Sequence, residues 1–393
     1  MTDCCIIGGG VVGLSIAREL AGRGLAVRVL ARGSGATTTS WAAAGILPPA
    51  AVFPGMPAGA ALTAWSDALL RTWARDLRDE TGIDTGLRAC GGLHVAATAA
   101  ALERLHDRAD VWRRENARCE WLDAAALAAA EPALAAAVTA GRLVGGFLLP
   151  DEQQIRPSRL LHALERSCAV RGAVITPAEV TGIDVSGGVV RGVEARGAGG
   201  AETVRAERYV VATGAWTGGL AAALGLTLDT RPIRGQILLL RLPRPVLGRV
   251  VNRGLEYLVP REDGRLLVGS TLEDVGFDAT TTPATIDRLR GVARDLLGPL
   301  ADAAVEKVWA GLRPGSVDGL PTIGRVPGID NAFVAAGHFR AGIHQSAGTA
   351  VLVADLVMGR PPALDVAAFA ADRPPAPPGP DSVAAMLARA AAE

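Results

Sequence analysis

Three glycines near the start of the chain, Gly8, Gly10 and Gly13, have the spacing of a pyrophosphate-binding turn. A short apolar run precedes them and apolar residues at helical spacing follow, so the segment is predicted to form a strand, a tight turn and a helix. The first glycine permits the turn, the second lets the backbone approach a pyrophosphate, and the third lets the helix pack on the strand. The helix N-terminus then offers N–H groups and a partial positive charge to phosphates. The pattern predicts a dinucleotide-binding site.

The acidic residue that usually holds the adenosine ribose is absent from the end of the second predicted strand, where the chain has Ala31. The next residue, Arg32, would favour a 2′-phosphate and therefore NADP over FAD. The ribose could equally be held by backbone groups, or by the hydroxyls of Ser34 and of residues 37–40. The residues themselves leave these alternatives open.

Length and composition limit the number of domains and the kinds of partner that we expect. A chain of 393 residues is long enough for two domains, and its 40 Lys+Arg balance its 40 Asp+Glu, so we expect no nucleic acid and no anionic surface as partner. The 5 cysteines lack metal-ligand spacing, and we expect no metal site. With no signal-like segment and no apolar run of about 18 residues, we expect a soluble, cytoplasmic protein without membrane association.

The order of predicted helices and strands indicates an α/β fold, and the class of the chain taken as a whole is α+β. Asp263-Gly264 predicts a hairpin turn between two of the later strands. The predicted helices cover 61–81, 99–115, 124–130, 158–170, 283–297 and a segment through 350–356. The predicted strands include 91–97, 174–175, 180–185, 189–195, 208–211, 231–240, 256–261, 265–271, 307–310 and 332–336.

Several segments, in a fixed order, resemble one family: GGGVVGLSIARELAGRG, SWAAAGIL, VVATGAW, IRGQ, EYLVPR, WAGLRPGSVDGLPTIGR and AAGHFRAGI. Together they resemble the D-amino-acid-oxidase-type flavoproteins, and most closely the glycine oxidases of thiamine biosynthesis. The likeness covers roughly residues 3–360 and is thin across 95–150. It implies non-covalent FAD, bound by a Rossmann-like domain of the glutathione-reductase type, with an inserted mixed β-sheet domain that binds the substrate.

The resemblance also implies a domain division. The FAD-binding domain would be discontinuous and comprise 1–85, 150–225 and 309–365. The substrate-binding domain would comprise 86–149 and 226–308. Residues 366–393 would form a Pro/Ala-rich C-terminal tail with one short helix, from Asp381 to Ala392.

The cofactor-binding residues that the glycine motif and the resemblance imply lie in several separate segments. They are Gly8, Gly10, Val11, Val12, Gly13, Ala31, Arg32, Thr38, Thr39, Ser40, Ala43, Ala44, Gly45, Ile46, Val180, Thr213, Gly214, Trp216, Gly311, Arg313, His338, Phe339, Arg340, Ala341, Gly342 and Ile343.

The catalytic residues implied by the resemblance are Arg313, Tyr257 and Arg340. Flavin carries out the hydride transfer in amine oxidation, so the protein mainly positions the substrate. Arg313 matches the carboxylate-binding arginine, in a turn leaving a strand, and Tyr257 matches its partner hydroxyl. The substrate pocket would be formed by Ile46, Tyr257, Leu272, Arg313, Arg340 and His344. His344 stands where glycine oxidases more often have an apolar residue, and Ile46 and Leu272 stand where some have methionine.

The function implied is FAD-dependent oxidative deamination of a small amino acid or secondary amine to an oxoacid, with O2 as acceptor and hydrogen peroxide as product. A dehydrogenase that passes electrons to a quinone or a partner protein is the first alternative. A flavin-binding subunit of a complex, without turnover of its own, is the second. We expect a small amine substrate and O2 as partners, with homo-oligomer formation left open.

Overall fold

The N-terminal glycine motif folds as predicted, into strand Cys4–Ile7 (β1), a tight turn and helix Val11–Gly22 (α1). The computed structural model describes residues 2–33, 38–374, 377–379 and 382–392. The other strands are Val27–Ala31 (β2), Ile46–Leu47 (β3), Arg88–Ala89 (β4), Gly92–Ala96 (β5), Glu120–Asp123 (β6), Gly145–Leu149 (β7), Gln153–Gln154 (β8), Val174–Ser186 (β9), Val189–Gly197 (β10), Gly200–Val204 (β11), Arg208–Val211 (β12), Thr230–Arg241 (β13), Val250–Arg253 (β14), Glu256–Pro260 (β15), Arg265–Gly269 (β16), Ala304–Ser316 (β17), Thr322–Arg325 (β18) and Ala332–Ala336 (β19).

The helices lie between single strands or runs of strands. They are Thr39–Ala42 (α2), Ala58–Thr81 (α3), Ala99–Arg114 (α4), Ala124–Ala130 (α5), Ala135–Thr139 (α6), Pro157–Val170 (α7), Thr217–Ala222 (α8), Pro283–Leu297 (α9), Ser346–Val357 (α10) and Val383–Ala392 (α11). The mixed α/β class is thereby confirmed. Within the described ranges, no helix has both the length and the apolar character needed to cross a membrane.

The first sheet has the order β11-β10-β9-β2-β1-β12-β19-β18. Its central strands, from β9 to β19, are parallel, and β1 lies between β2 and β12. Apolar residues of α1, α3, α7 and α10 pack with this sheet in one core. The carboxyl ends of the parallel strands meet at one edge, which is where ligands bind in open α/β sheets.

The second sheet has the order β17-β13-β16-β15-β14-β5-β7-β6. Its pairs are antiparallel except for β14 with β5. Helices α5, α6 and α9 contribute to a separate apolar core on this sheet. A small three-stranded sheet, β3-β8-β4, accompanies the two large ones.

Several elements that were predicted from local sequence features are confirmed. The predicted helix 283–297 coincides with α9, and Asp263-Gly264 lies in the turn between β15 and β16. Thr98 caps α4 by accepting a hydrogen bond from the Ala101 N–H, and Asp123 caps α5 in the same way from Ala126. Capping and turn chemistry depend on neighbours in sequence, so they are readable without tertiary information.

Two strand predictions were wrong in extent. Arg313 was expected in a turn that leaves a strand, but β17 continues to Ser316 and pairs Arg313 with Ile233 of β13. The short runs 174–175 and 180–185 form one strand, β9, although Pro177 interrupts them. In both cases pairing with a long neighbouring strand extends the element beyond the residues of high strand propensity.

The course of β17 bears on the domain boundary. The expected boundary at 309 falls inside β17, which belongs to the second sheet throughout its length. We therefore propose that the chain returns to the FAD-binding domain after Ser316.

The fold predicts a sharp difference between two glycine substitutions. A Cβ at Gly13 would overlap the Gly8 carbonyl oxygen, whereas a Cβ at Gly291, in α9, would meet nothing within 4 Å. We expect Gly13→Ala to lower the free energy of unfolding by about 3 kcal/mol, because α1 must move away from β1. Gly291→Ala should raise it by roughly 0.5–1 kcal/mol, since alanine is the better helix former. Denaturant titration measures both, and equal effects of the two variants would contradict the close packing of α1.

Candidate active site

The glycine turn forms a cradle that side chains would fill. Gly8 has a φ of +122°, and a Cβ there would overlap the carbonyl oxygen of Ala212, at the end of β12. A Cβ at Gly10 would lie 3.3 Å from the Ser40 hydroxyl, which accepts a hydrogen bond of 3.0 Å from the Val11 N–H. The first turn of α1 therefore faces an open space bordered by bare backbone and one hydroxyl.

This space belongs to a cavity of about 440 Å³ that extends between the two large sheets. Most predicted site residues line it. They are Gly8, Gly10, Val11, Val12, Arg32, Thr38, Thr39, Ser40, Ala43, Ala44, Gly45, Ile46, Val180, Thr213, Gly214, Trp216, Tyr257, Gly311, Arg313, His338, Phe339, Arg340, Gly342, Ile343 and His344. Ser34 and Thr37, which were considered for the ribose, lie outside the described residues.

Four predicted residues stand apart from the cavity lining. Gly13 packs beneath Gly8, and the Ala31 Cβ lies against Gly9, where an added Cβ would be 2.6 Å from it. Leu272 is turned into an apolar cluster that includes Phe339. Ala341 follows the lining residue Arg340 without joining the wall. Motif position alone did not reveal which side of the backbone these residues occupy.

The cavity is also lined by residues that no sequence motif assigned to the site. The most informative are Glu179, Gly235, Ile237 and Ser270. Gly235 had a signal, because a glycine inside a strand often marks close approach of another group. Glu179 and Ser270 had no local signal, since their role depends on the pairing of distant strands.

Arg313 reaches the cavity from β17. Its Nη2 donates to Ser270 Oγ at 2.7 Å, and its Nη1 donates to the Thr271 carbonyl at 3.2 Å. The guanidinium lies against Gly235, where a Cβ would overlap it. Burial lowers the pKa of Arg313, and the neighbouring Tyr257 hydroxyl opposes this effect. These hydrogen-bond acceptors are neutral oxygens, so the cation can still attract an anionic ligand group.

Tyr257 stands beside this guanidinium on β15 and is buried. Its ring passes over Gly269, where a Cβ would lie 2.9 Å from a ring carbon. Ile237 and Trp309 pack with it in an apolar cluster that also includes Ile46. This end of the cavity is therefore small and apolar, with a cation and a phenol as its polar groups.

Arg340 approaches the same cavity from the segment after β19. Its Nη1 lies 3.8 Å from the Met386 Sδ in the C-terminal helix α11. The neighbouring Phe339 has a φ of +45° and is buried among Ile233, Val383 and Met386. The sequence predicted a short helix in the tail, which the structure confirms, but its packing behind the cavity wall was not foreseen.

His344 is buried in the turn just before α10 and contacts Asp67 of α3. Its Nε2 lies 3.0 Å from Asp67 Oδ1, which also accepts a hydrogen bond of 3.0 Å from Gln153. Burial disfavours the Asp67 carboxylate, but hydrogen bonds from His344 and Arg71 outweigh it and hold the pKa of Asp67 below its usual value. The pair fixes the His344 ring at the cavity wall.

Three hydrogen bonds fix α2 and the loop that follows it against the second sheet. Trp309 Nε1 donates to the Ala42 carbonyl at 3.0 Å, and Arg261 Nη2 donates to the Ala44 carbonyl at 2.6 Å. Thr39 Oγ1 donates to the Leu312 carbonyl at 2.6 Å. Burial lowers the pKa of Arg261 to about 10. The loop 43–46 is thereby held at a defined distance from Arg313.

The residues present fit FAD. The bare glycine turn at the N-terminus of α1 suits a pyrophosphate, and the small residues 43–45 allow a flat ring to lie against the backbone. Arg313 and Tyr257 then border the space where a substrate would meet that ring. The fold and the cavity together are typical of a dinucleotide-dependent oxidoreductase, and the cation Arg313 lies in the cavity wall.

Comparison with known proteins gives the family. The model of the DAO family, described as FAD dependent oxidoreductase, matches residues 3–356, and the chain belongs to this family. It is 35% identical over 377 residues to glycine oxidase from Pseudomonas aeruginosa, covering 93% of this chain and 97% of that protein. The predicted resemblance is confirmed. FAD is the cofactor of the family, which decides between FAD and the NADP that Arg32 left open.

Solved structures agree with this assignment. The crystal structure of glycine oxidase from Geobacillus kaustophilus matches with a TM-score of 0.86 and 34% identity, covering 95% of this chain and 99% of that one. The structure of iminodiacetate oxidase from Chelativorans sp. BNC1 matches with a TM-score of 0.82 and 26% identity, over 93% and 98% of the two chains. The predicted Rossmann-like FAD-binding fold is thus confirmed.

His338 predicts a pH effect on stability. It is buried, its Nε2 lies 3.0 Å from Thr349 Oγ1, and burial lowers its pKa to about 4. The histidine of the unfolded chain has a pKa of about 6.5, so the unfolded chain binds this proton at higher pH than the folded chain does. The free energy of unfolding therefore decreases as the pH falls from 6.5 to 4. His338→Gln should remove about 2–3 kcal/mol of this pH dependence.

Unfolding of the FAD-saturated protein at pH 7 and at pH 4.5 measures the effect of His338→Gln. The matched control is His162→Gln, because His162 is exposed on α7. A pH dependence that is the same in wild type and His338→Gln would show that His338 is not buried as a neutral ring.

Proposed function

We propose that the protein is an FAD-dependent oxidase of small amino acids or secondary amines, with the substrate carboxylate bound by Arg313. The observation that carries the proposal is Arg313 itself, a cation with neutral hydrogen-bond acceptors in the same cavity as the FAD cradle. A carboxylate that entered this small apolar space without a cation would lose its hydration without compensation.

When bound, FAD supplies the hydride acceptor for oxidation of the amine. Arg313 holds the carboxylate through its planar fork of N–H groups, which lysine cannot reproduce. The Tyr257 hydroxyl donates a further hydrogen bond to the same carboxylate. Ser270 and the Thr271 carbonyl fix the guanidinium, so its orientation does not depend on the substrate. The substrate carbon and nitrogen are thereby directed towards the cofactor.

The walls of the cavity restrict substrate size. Ile46 and Ile237 line the cavity with Tyr257, and Trp309 packs in the same apolar cluster. We expect these apolar side chains to favour substrates with few atoms beyond the carboxylate and the amine. Glycine and sarcosine have the required groups and little else. The imine product hydrolyses in water to an oxoacid and ammonia, or to an oxoacid and a primary amine if the substrate is secondary. The named activities of the similar oxidases, on glycine and iminodiacetate, support an amine that carries a carboxylate.

O2 as the electron acceptor belongs to the same proposal. A dehydrogenase of this family that passes electrons to a quinone or a partner protein would share the cradle and the Arg313 site. A flavin-binding subunit without turnover would retain the cradle but would not need Arg313 beside Tyr257. Homo-oligomer formation remains a prediction.

Two measurements on the yellow protein separate these functions. Anaerobic addition of glycine or sarcosine should bleach the flavin absorbance, because the substrate reduces it. Under air, the same addition should release hydrogen peroxide in proportion to the substrate consumed. Bleaching without peroxide would favour the dehydrogenase, and no bleaching with any small amine would favour the subunit.

The carboxylate anchor makes a quantitative prediction. Arg313→Lys should retain FAD but lose about 2–4 kcal/mol of transition-state stabilisation, a fall in kcat/KM of roughly 30- to 1,000-fold for the best amino acid. Tyr257→Phe removes one hydrogen bond to a charged group and should cost about 1.5–3 kcal/mol. Steady-state kinetics with an amino acid and with the corresponding amine without a carboxylate measure both effects.

The matched control is Arg231→Lys, since Arg231 is exposed on the adjacent strand β13, where it pairs with Asp229 at 2.9 Å. That variant should keep the kinetics of the wild type. The amine without a carboxylate should be nearly indifferent to every substitution. If Arg313→Lys changes kcat/KM for the amino acid by less than about threefold, Arg313 is not the anchor, and Arg340 becomes the better candidate.

A further inference from the structure

The acidic side chain of Glu179 lies at the end of the cavity beyond β2, and it is not part of the glycine motif. Strands β2 and β9 are parallel, with Ala31 opposite Pro177. Because β9 continues past this pair, Glu179 lies two residues beyond the end of the β2 pairing. Glu179 lines the cavity beside Arg32 and Gly33, whereas Ala31 does not.

Two contacts define this end of the cavity. Arg32 Nη1 lies 3.7 Å from Glu179 Oε1, and the Arg32 guanidinium carbon lies 4.6 Å above the centre of the Trp216 ring. The side chains of Arg32 and Glu179 are 56% and 57% exposed, so both can still contact a ligand. Trp216 also packs with Phe277, with ring centres 5.6 Å apart and ring planes inclined by 34°.

The position of this cluster identifies the part of FAD that would reach it. The glycine turn cradles the pyrophosphate, and Arg313 marks the substrate side, where the flavin ring must lie. The opposite end, at the carboxyl end of β2, is where the adenosine ribose lies in this class of site. A ribose diol there needs an acceptor for its two hydroxyl hydrogens, and residue 31 has no side-chain oxygen.

We propose that Glu179 of β9 is the carboxylate that binds the adenosine ribose of FAD, replacing the acid that is absent at residue 31. Both ribose hydroxyls donate to the Glu179 carboxylate in charge-assisted hydrogen bonds. Arg32 orients this carboxylate through their ion pair and is itself fixed by stacking on Trp216.

The same ion pair disfavours a 2′-phosphate. A phosphate at this position would meet the negative charge of Glu179, and Arg32 would have to leave its partner to neutralise it. The sequence position of Arg32 favoured NADP. Because Arg32 is paired with Glu179 of β9, this end of the cavity instead suits the ribose diol of FAD.

The test is titration of apoprotein with FAD, followed by flavin fluorescence. Glu179→Gln keeps the shape of the side chain but removes its charge, and we expect FAD to bind about tenfold more weakly. The matched control is Glu202→Gln. Glu202 lies in the same sheet and pairs with Arg28 at 2.6 Å, but it does not line the cavity, so FAD affinity should remain within twofold.

Ligand analogues connect the effect to the ribose. FAD with a 2′-deoxyadenosine should bind to the wild type several-fold more weakly than FAD, but Glu179→Gln should not distinguish the two. FMN, which lacks adenosine, should bind equally to wild type and variant. Adding Ala31→Glu to Glu179→Gln should restore FAD affinity, because an acid then returns to the end of β2.

Three outcomes would overturn the proposal. FAD affinity of Glu179→Gln within twofold of wild type would mean that other groups hold the ribose. An equal loss of FAD and FMN affinity, or a lower melting temperature of the apoprotein, would show that Glu179 has only a structural role. Equal discrimination against the deoxy analogue by wild type and variant would place the ribose elsewhere.

Discussion

The close approach of three backbone segments at Gly8 is the constraint on which the rest of the structure depends. Strand β1, the end of β12 and the start of α1 meet there without space for a Cβ on Gly8 or Gly13. This contact aligns the carboxyl ends of the parallel strands with the N-terminus of α1. The cavity in which we propose that FAD and its substrate bind lies along that edge.

Polar contacts and small apolar clusters join the two large sheets around the cavity, where Phe339, after β19, packs with Ile233 of β13. Each sheet has its own main core, and α2 with the loop after it is held between them by hydrogen bonds of Trp309, Thr39 and Arg261. Backbone carbonyls accept these hydrogen bonds, so the loop is fixed without bulky side chains that would occupy the space of the cofactor. Arg261 in particular is a buried cation that donates to the side-chain carbonyl oxygen of Gln154 and to the backbone carbonyl oxygens of Ile155 and Ala44.

Two peripheral elements support the cavity wall from behind. Helix α11 packs on Phe339 and contacts Arg340, and the Asp67–His344 pair links α3 to the start of α10. The family match ends at residue 356, so α11 lies beyond the matched part of the chain. The cavity wall is thus supported in part by a helix outside the range that the family model matches.

The amino-acid sequence by itself determined the local chemistry. The glycine spacing predicted the turn and its pyrophosphate site, the caps at Thr98 and Asp123 predicted helix starts, and ordered motifs led to the family. These features depend on residues that are close together in the chain, so they can be predicted without a structure. Only the tertiary structure decided which side chains enter the cavity. Ala31 faces Gly9, Leu272 turns into an apolar cluster, and Glu179 meets Arg32 through the pairing of β2 with β9. The contact between residues 32 and 179 arises from the register of β2 and β9 and not from sequence spacing. No local sequence pattern could therefore have predicted it.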